Sequence, residues 1–175
     1  SASTSYQQAI LEVGDRFWVG GSEHNLFSFS RTTLERLSGT ITKTGGDFQT
    51  LGTAHGVVYG SCHCNEWAYT DAYRWSNVGT AWTQADKIGF TGAWDAVTGE
   101  YLPEFNPVMQ ARAGSGPWAT LTDSLGNVWV GGDLRRAVRS NGTSQWVGGF
   151  VRFGPRDTTA PSTPGPARIA SLTDS

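Results

Sequence analysis

The sequence predicts an all-β fold made of about three copies of one antiparallel unit. The first observation is a repeat. Gly14-Asp15-Arg16-Phe17-Trp18-Val19-Gly20-Gly21 recurs as Gly56-Val57-Val58-Tyr59-Gly60-Ser61, and again as Gly126-Asn127-Val128-Trp129-Val130-Gly131-Gly132-Asp133. Each copy is a turn glycine, a short apolar or aromatic run, and one or two glycines. The second observation is a further apolar segment C-terminal to each copy: Leu26-Phe27-Ser28-Phe29, Gly92-Ala93-Trp94-Asp95-Ala96 and Phe150-Val151-Arg152-Phe153. Repetition of one supersecondary unit decides architecture before any residue has a role. The third observation is composition. Charged residues make up only 16 %, with 23 Gly, eight Trp and eight Phe among 175 residues, which suits short strands joined by tight turns and not disorder.

Taken in order, residues 13 to 38 form the first unit. Val13 to Gly20 reads as a strand and Leu26 to Ser30 as its antiparallel partner. Arg31 to Leu37 is an outer strand or one amphipathic helical turn, because Leu34 and Leu37 sit three apart. Residues 47 to 105 form the second unit. Phe48 to Thr53 and Val57 to Cys62 make a hairpin around His55-Gly56, and a long insertion runs from Asn65 to Lys87. The unit resumes at Ile88 to Ala96, turns at Val97-Thr98-Gly99 and ends with Glu100-Tyr101-Leu102. Residues 116 to 154 form the third, with strands at Trp118 to Thr122, Val128 to Gly132 and Gln145 to Phe153. Asn141-Gly142 is a turn signal between them. After Pro155 the composition changes: Asp157 to Pro166 holds three prolines and no large apolar residue, an extended linker. The expected domains are a lead-in at 1–12, the repeated units at 13–155, and a Pro/Thr/Ser-rich linker at 156–175 toward a following domain.

Units of this kind are blades. A blade buries both faces only by stacking on its neighbours, and closed β-propellers use about four to eight. Three blades leave apolar faces open at both ends. The expected fold is therefore a partial β-propeller of about three four-stranded antiparallel blades. Further blades, from the parent chain or from another subunit, are its expected partners. A compact sandwich of the three hairpins is the alternative.

Pro117-Trp118-Ala119-Thr120-Leu121-Thr122-Asp123-Ser124-Leu125-Gly126-Asn127-Val128-Trp129-Val130-Gly131-Gly132-Asp133, with the later Gly149-Phe150-Val151-Arg152-Phe153, resembles bacterial propeller repeats of the delta-60 type. The second unit departs from that pattern, with Gly60-Ser61-Cys62 in place of Val-Gly-Gly. The linker Asp157-Thr158-Thr159-Ala160-Pro161-Ser162-Thr163-Pro164-Gly165 resembles lead-ins to fibronectin type III or lectin-like domains. Such lead-ins occur in secreted actinobacterial proteins and in minor tail proteins of their phages. The resemblance implies a propeller fold and an extracellular, cell-surface or virion location. It names no function, because one propeller scaffold hosts many.

Several functions are disfavoured by the residues. The net charge is −2, and no basic cluster exceeds Arg135-Arg136 with Arg139 nearby, so a nucleic-acid binder's footprint is missing. No run of eighteen apolar residues offers a transmembrane helix. The N-terminus has neither a basic nor an apolar region of a signal peptide, as expected of a mature or excised piece of a longer polypeptide. Ala93-Trp94-Asp95-Ala96-Val97-Thr98-Gly99-Glu100 resembles the repeat of quinoprotein propellers, but its physical job is a capped turn, and no cofactor is expected. No Ser-His-Asp order supports a hydrolytic triad. Carboxylates such as Glu66, Asp71, Asp86, Asp95, Glu100 and Asp133 exist, yet nothing in the sequence pairs two of them across a cleft.

Two features remain as candidate sites. Cys62 and Cys64 flank His63. In a strand they point to one face, which allows two buried free cysteines, a bridge, or a metal site that lacks the second ligand pair of structural zinc. An oxidised pair is the expectation for a surface or virion protein. The insertion 65 to 87 carries Trp67, Tyr69, Tyr73, Trp75 and Trp82, more aromatic surface than a solvated loop needs. Either these rings bind a glycan or a partner, or they pack as a small core over the blade. Long loops are disproportionately functional. The resulting expectation is a non-enzymatic module with a structural or adhesive role outside the cell, a phage tail tip or fibre being one version. The alternative is a fragment of a secreted carbohydrate-active enzyme with part of its active site on missing blades.

Overall fold

A computed structural model describes residues 6–73 and 81–155. Among the described residues there are eleven strands and no helix. They are β1 (Gln7–Val13), β2 (Arg16–Gly21), β3 (Asn25–Ser30), β4 (Arg36–Ala54), β5 (Val57–Thr70), β6 (Gln84–Lys87), β7 (Thr91–Asp95), β8 (Met109–Thr122), β9 (Val128–Val138), β10 (Ser144–Trp146) and β11 (Phe150–Phe153). They form a seven-stranded and a four-stranded sheet, antiparallel throughout. The fold is all-β and propeller-like, compatible with a partial propeller.

The seven-stranded sheet curls until it is nearly closed, because β4 and β5 bend. Three register shifts in their pairing fall between Lys43 and Thr50, and bulges of this kind bend a strand and raise its twist. The first half of β4 therefore completes blade 1 beside β3, while its second half opens blade 2 beside β5 and β7. The turn between β4 and β5 is His55-Gly56, with φ of 50° and 77°, the pair of left-handed residues that a two-residue hairpin demands. Blade 3 is the smaller sheet: β8, β9 and β11, with β10 on the far half of β9.

Apolar cores fill the two joints. Between blades 1 and 2 lie Trp18, Leu26, Phe48, Val58, Trp94 and Tyr101. Phe48 and Tyr101 meet Trp94 edge to face at 5.7 and 5.2 Å, and the Trp94 indole donates to Thr40 Oγ1 at 2.9 Å. Between blades 2 and 3 lie Phe90, Met109, Val128, Val130 and Leu134, flanked by Tyr59, Phe105 and Phe153. The inner part of this second joint is polar. Ser61 Oγ and Thr120 Oγ1 are 2.6 Å apart, Thr120 N donates to Thr50 Oγ1, and Thr122 Oγ1 donates to the Thr53 carbonyl.

The structure differs from the sequence expectation in several places. The segment read as a lead-in carries β1, which pairs with β2 across Gly14-Asp15, so blade 1 begins at Gln7. Arg31 to Thr33 is a turn, and the strand after it starts at Arg36. Blade 2 has three strands plus a single bridge from Tyr101 to Trp94, and blade 3 closes with β11 without a full fourth strand alongside it. The linker at 156–175 lies outside the described residues.

Trp18 and Trp94 are fully buried between blades, whereas Val97 is exposed in a turn. Trp18→Ala and Trp94→Ala should each cost about 3–5 kcal/mol, and Val97→Ala should stay within about 0.5 kcal/mol. Urea unfolding followed by far-ultraviolet circular dichroism checks both expectations.

Candidate functional site

The insertion is an extension of the sheet. Beyond Cys64, β5 runs on to Thr70, pairing on one side with β4 and on the other with β6. Ala68 is fully buried in the core between blades 1 and 2. Strand alternation then turns Trp67 and Tyr69 to the opposite face. Register places Trp67 between Lys43 and Lys87, and Tyr69 between Ile41 and Ala85. Trp82 approaches from the connecting segment and meets Tyr69 edge to face at 5.5 Å. The Lys87 ammonium sits 3.8 Å above the Trp67 ring, a cation–π contact worth about 0.5–1 kcal/mol at an exposed site.

Tyr73 has a different neighbourhood. It lies against Phe27 at 6.1 Å, with the Arg36 guanidinium 4.2 Å above its ring. Its hydroxyl donates to Asp71 Oδ1, whose other oxygen accepts from Thr83. Burial, and then the Asp71 charge, push the Tyr73 phenol above its ordinary range. Trp82 is exposed at 41 %, while Trp67, Tyr69 and Tyr73 are half-buried. The structure thus lines up Trp67, Tyr69 and Trp82 along one face, where Tyr69 also packs with Phe27 on the buried pair Ile41 and Ala72, and sets Tyr73 against Phe27. Trp75 lies outside the described residues.

Cys62 and Cys64 are both fully buried in β5 and are joined as a disulfide, with Cα atoms 5.1 Å apart. His63 between them points the other way and meets Trp118 edge to face at 4.4 Å. Burial holds its imidazole below the ordinary pKa, against the opposing pull of Asp47. No group of three or more His, Cys, Asp or Glu among the described residues converges as metal ligands would.

Two open clefts flank blade 2. One, of about 480 Å³, is lined by His63, Asn65, Phe90, Met109 and Arg135. The other, of about 370 Å³, lies beside the insertion and is lined by Ser38, Thr70, Asp71, Thr83, Glu100 and Tyr101.

One feature escapes sequence reasoning. Trp129 and Phe150 stack at 5.4 Å with rings 19° from parallel, on the outer face of blade 3. The Trp129 indole donates to Asp123 Oδ2 at 2.9 Å, and Asn127 and Leu125 supply further donors to the same carboxylate. The Trp129 donor and these others hold Asp123 down at about 2. The alternation of Val128, Trp129 and Val130 carries the signal for this face, since the two valines are buried on the opposite side.

No family model matches the chain, and no curated protein or solved structure does either.

This geometry leads to two expected outcomes. Because both sulfurs are buried, the native protein should resist mild reductant, and thiol titration after denaturation without reductant should find no free cysteine. Two free thiols would contradict the bridge. For Asp123 the folded pKa is depressed, so its contribution to stability is complete above the unfolded value and lost as pH falls from about 4 toward about 2. Asp123→Asn should flatten the acid limb of the melting-temperature profile over that window.

Proposed function

We propose that this chain is a non-enzymatic, propeller-like module with a structural and adhesive role at a cell or virion surface. In this reading the strip Trp67–Tyr69–Trp82 is its contact with surface carbohydrate. The observation that carries the reading is the two-sidedness of the β5–β6 extension. Its inner face closes the core through Ala68, and its outer face gathers three aromatic rings and Lys87, of which Tyr69 also packs on the buried pair Ile41 and Ala72 while Trp82 stands exposed. Flat aromatic faces stack on the apolar faces of sugar rings, and the neighbouring ammonium supplies a donor to hydroxyls.

The location rests on the likeness of the third unit and of the linker to secreted actinobacterial and phage minor tail proteins. The buried Cys62–Cys64 bridge accords with oxidising surroundings. A phage tail tip or fibre subunit is one version. The open faces of the outer blades call for further blades, from the same polypeptide or another subunit. A second reading, part of a carbohydrate-active enzyme, is favoured by one observation only: Asp71 and Glu100 line the same cleft beside the insertion.

Calorimetric titration with solubilised cell-wall polysaccharide separates these readings. Trp67→Ala and Trp82→Ala should each weaken binding about tenfold, the equivalent of ~1.4 kcal/mol, with melting temperatures nearly unchanged. Binding that ignores both substitutions, or no binding at all, would sink the proposal. Release of reducing ends that Asp71→Asn abolishes would favour the enzyme.

A further inference from the structure

We infer that the exposed face of blade 3 is built to receive blade 1 of a second copy of this chain, head to tail. The inference rests on the reading of the units as stacked blades, and it commits the missing partner to one identity.

Strand register aligns the blades residue by residue. In blade 1, Trp18 lies opposite Leu11, and Gly20 lies between Ala9 and Leu26. In blade 3, Trp129 lies opposite Leu121, and Gly131 lies between Ala119 and Phe150. The set Ala9, Leu11, Trp18, Gly20, Leu26 therefore maps onto Ala119, Leu121, Trp129, Gly131, Phe150. The same positions in blade 2 are Thr50, Gly52, Tyr59, Ser61 and Thr91.

In blades 1 and 2 this face meets the next blade. Trp18 and Leu26 are sealed by blade 2, and a Cβ on Gly20 would lie 2.8 Å from Phe48 Cβ. Ser61 meets Thr120 of blade 3. In blade 3 the face is open. Leu121 and Phe150 are 66 % and 56 % exposed, and the one neighbour near a Cβ on Gly131 would be the Gly149 carbonyl at 3.8 Å. In chemistry the open face shares the alanine, leucine, tryptophan and glycine of the covered face of blade 1 and not the hydroxyls of blade 2, with the Arg152 guanidinium 5.6 Å over the Trp129 ring where blade 1 has Ser28. It is also pre-ordered, because Asp123 and Phe150 already hold the Trp129 ring, which lowers the cost of docking.

The occupant must present the face that a blade turns toward its predecessor. On blade 2 that face carries Leu51, Val58 and Trp94, and on blade 3 it carries Val128, Val130 and Val151; both are packed within this chain. Blade 1 fills the same positions with Ile10, Phe17, Val19, Phe27 and Phe29. Tyr73 and Arg36 cover Phe27, and Phe29 meets it edge to face; Ile10 is 71 % exposed and Phe17, Val19 and Phe29 are half-buried, with Glu12 and Arg36 on the same face. Among the described residues, this face of blade 1 is sealed by a buried cluster only at Phe27, unlike its counterparts on blades 2 and 3. Each copy thus offers one face of each kind. Two copies close two equal joints, and the six blades fall within the range of closed propellers. A head-to-tail contact that closes on itself makes a ring and not a fibre.

The test uses the full chain and two substitutions at exposed positions, Leu121→Arg on the blade 3 face and Ile10→Arg on the blade 1 face. Light scattering after gel filtration should give the wild type twice the 18.8 kDa chain mass. Each variant alone should run at the single-chain mass with a retained melting transition. An equimolar mixture should return to the doubled mass, because one joint in the mixed pair is wild type on both sides. Doubled mass in Leu121→Arg alone would overturn the inference. So would a mixture that stays single, the result expected if like faces pair with like. Either outcome leaves the stacking reading intact. A wild type that is monomeric and cooperatively folded at all concentrations would overturn both.

Discussion

Each blade is a thin antiparallel sheet with apolar residues on both faces, so its stability depends on cover from both sides. The rest of this chain is organised around that constraint. Blade 1 and blade 2 satisfy it against each other with Trp18, Leu26, Phe48 and Trp94, and Gly20 lets the two sheets approach closely. Blades 2 and 3 satisfy it with Val128, Val130 and Phe90 toward the rim and with Ser61, Thr120 and Thr122 toward the inner strands. Ser61 and Thr120 pair with each other and Thr122 with the Thr53 carbonyl, which keeps a polar joint from carrying the cost of unmade hydrogen bonds.

The same constraint separates packing from function. Of the rings that seal joints, Trp18, Phe48, Phe90, Trp94 and Tyr101 are buried, and Tyr59, the blade 2 counterpart of Trp18, is half-buried. The strip of Trp67, Tyr69 and Trp82 belongs to an extension that grows out of the β4–β5 hairpin, and it has no equivalent in blade 1. Tyr101 ties that extension to blade 2 by donating its hydroxyl to the Lys87 carbonyl at 2.9 Å, and burial raises its phenol pKa. The extension is therefore tied to blade 2, with Tyr69 packed on Ile41 and Ala72 and Trp82 exposed on its outer face.

Much of the fold was legible in the sequence, because turn glycines and period-two alternation report local geometry directly. The three copies of the repeat fall on β2, β5 and β9, and the apolar segments after them fall on β3, β7 and β11. What was not legible is long-range. Nothing local says that β4 serves two blades, since its bend comes from bulges in its pairing with β5. β1 was hidden because Gln7 to Val13 alternates too weakly to stand out without its partner β2. For the candidate site, the clustering of aromatics in 65–87 was visible. The division of labour between Tyr73 on Phe27 and Tyr69 on Trp82 depends on which face each strand residue takes, and that is set by Ala68 docking in the core.

The stack of blades is open at blade 3, where Leu121 and Phe150 face solvent. Hydrogen exchange of the β11 amides over a dilution series reads the state of that face. Protection of β7, which belongs to blade 2 and has a blade on each side within the chain, should not depend on concentration. Protection of β11 should rise as the protein is concentrated and fall on dilution. Protection of β11 that matches β7 at every concentration would contradict this, because the face would then be complete without a partner.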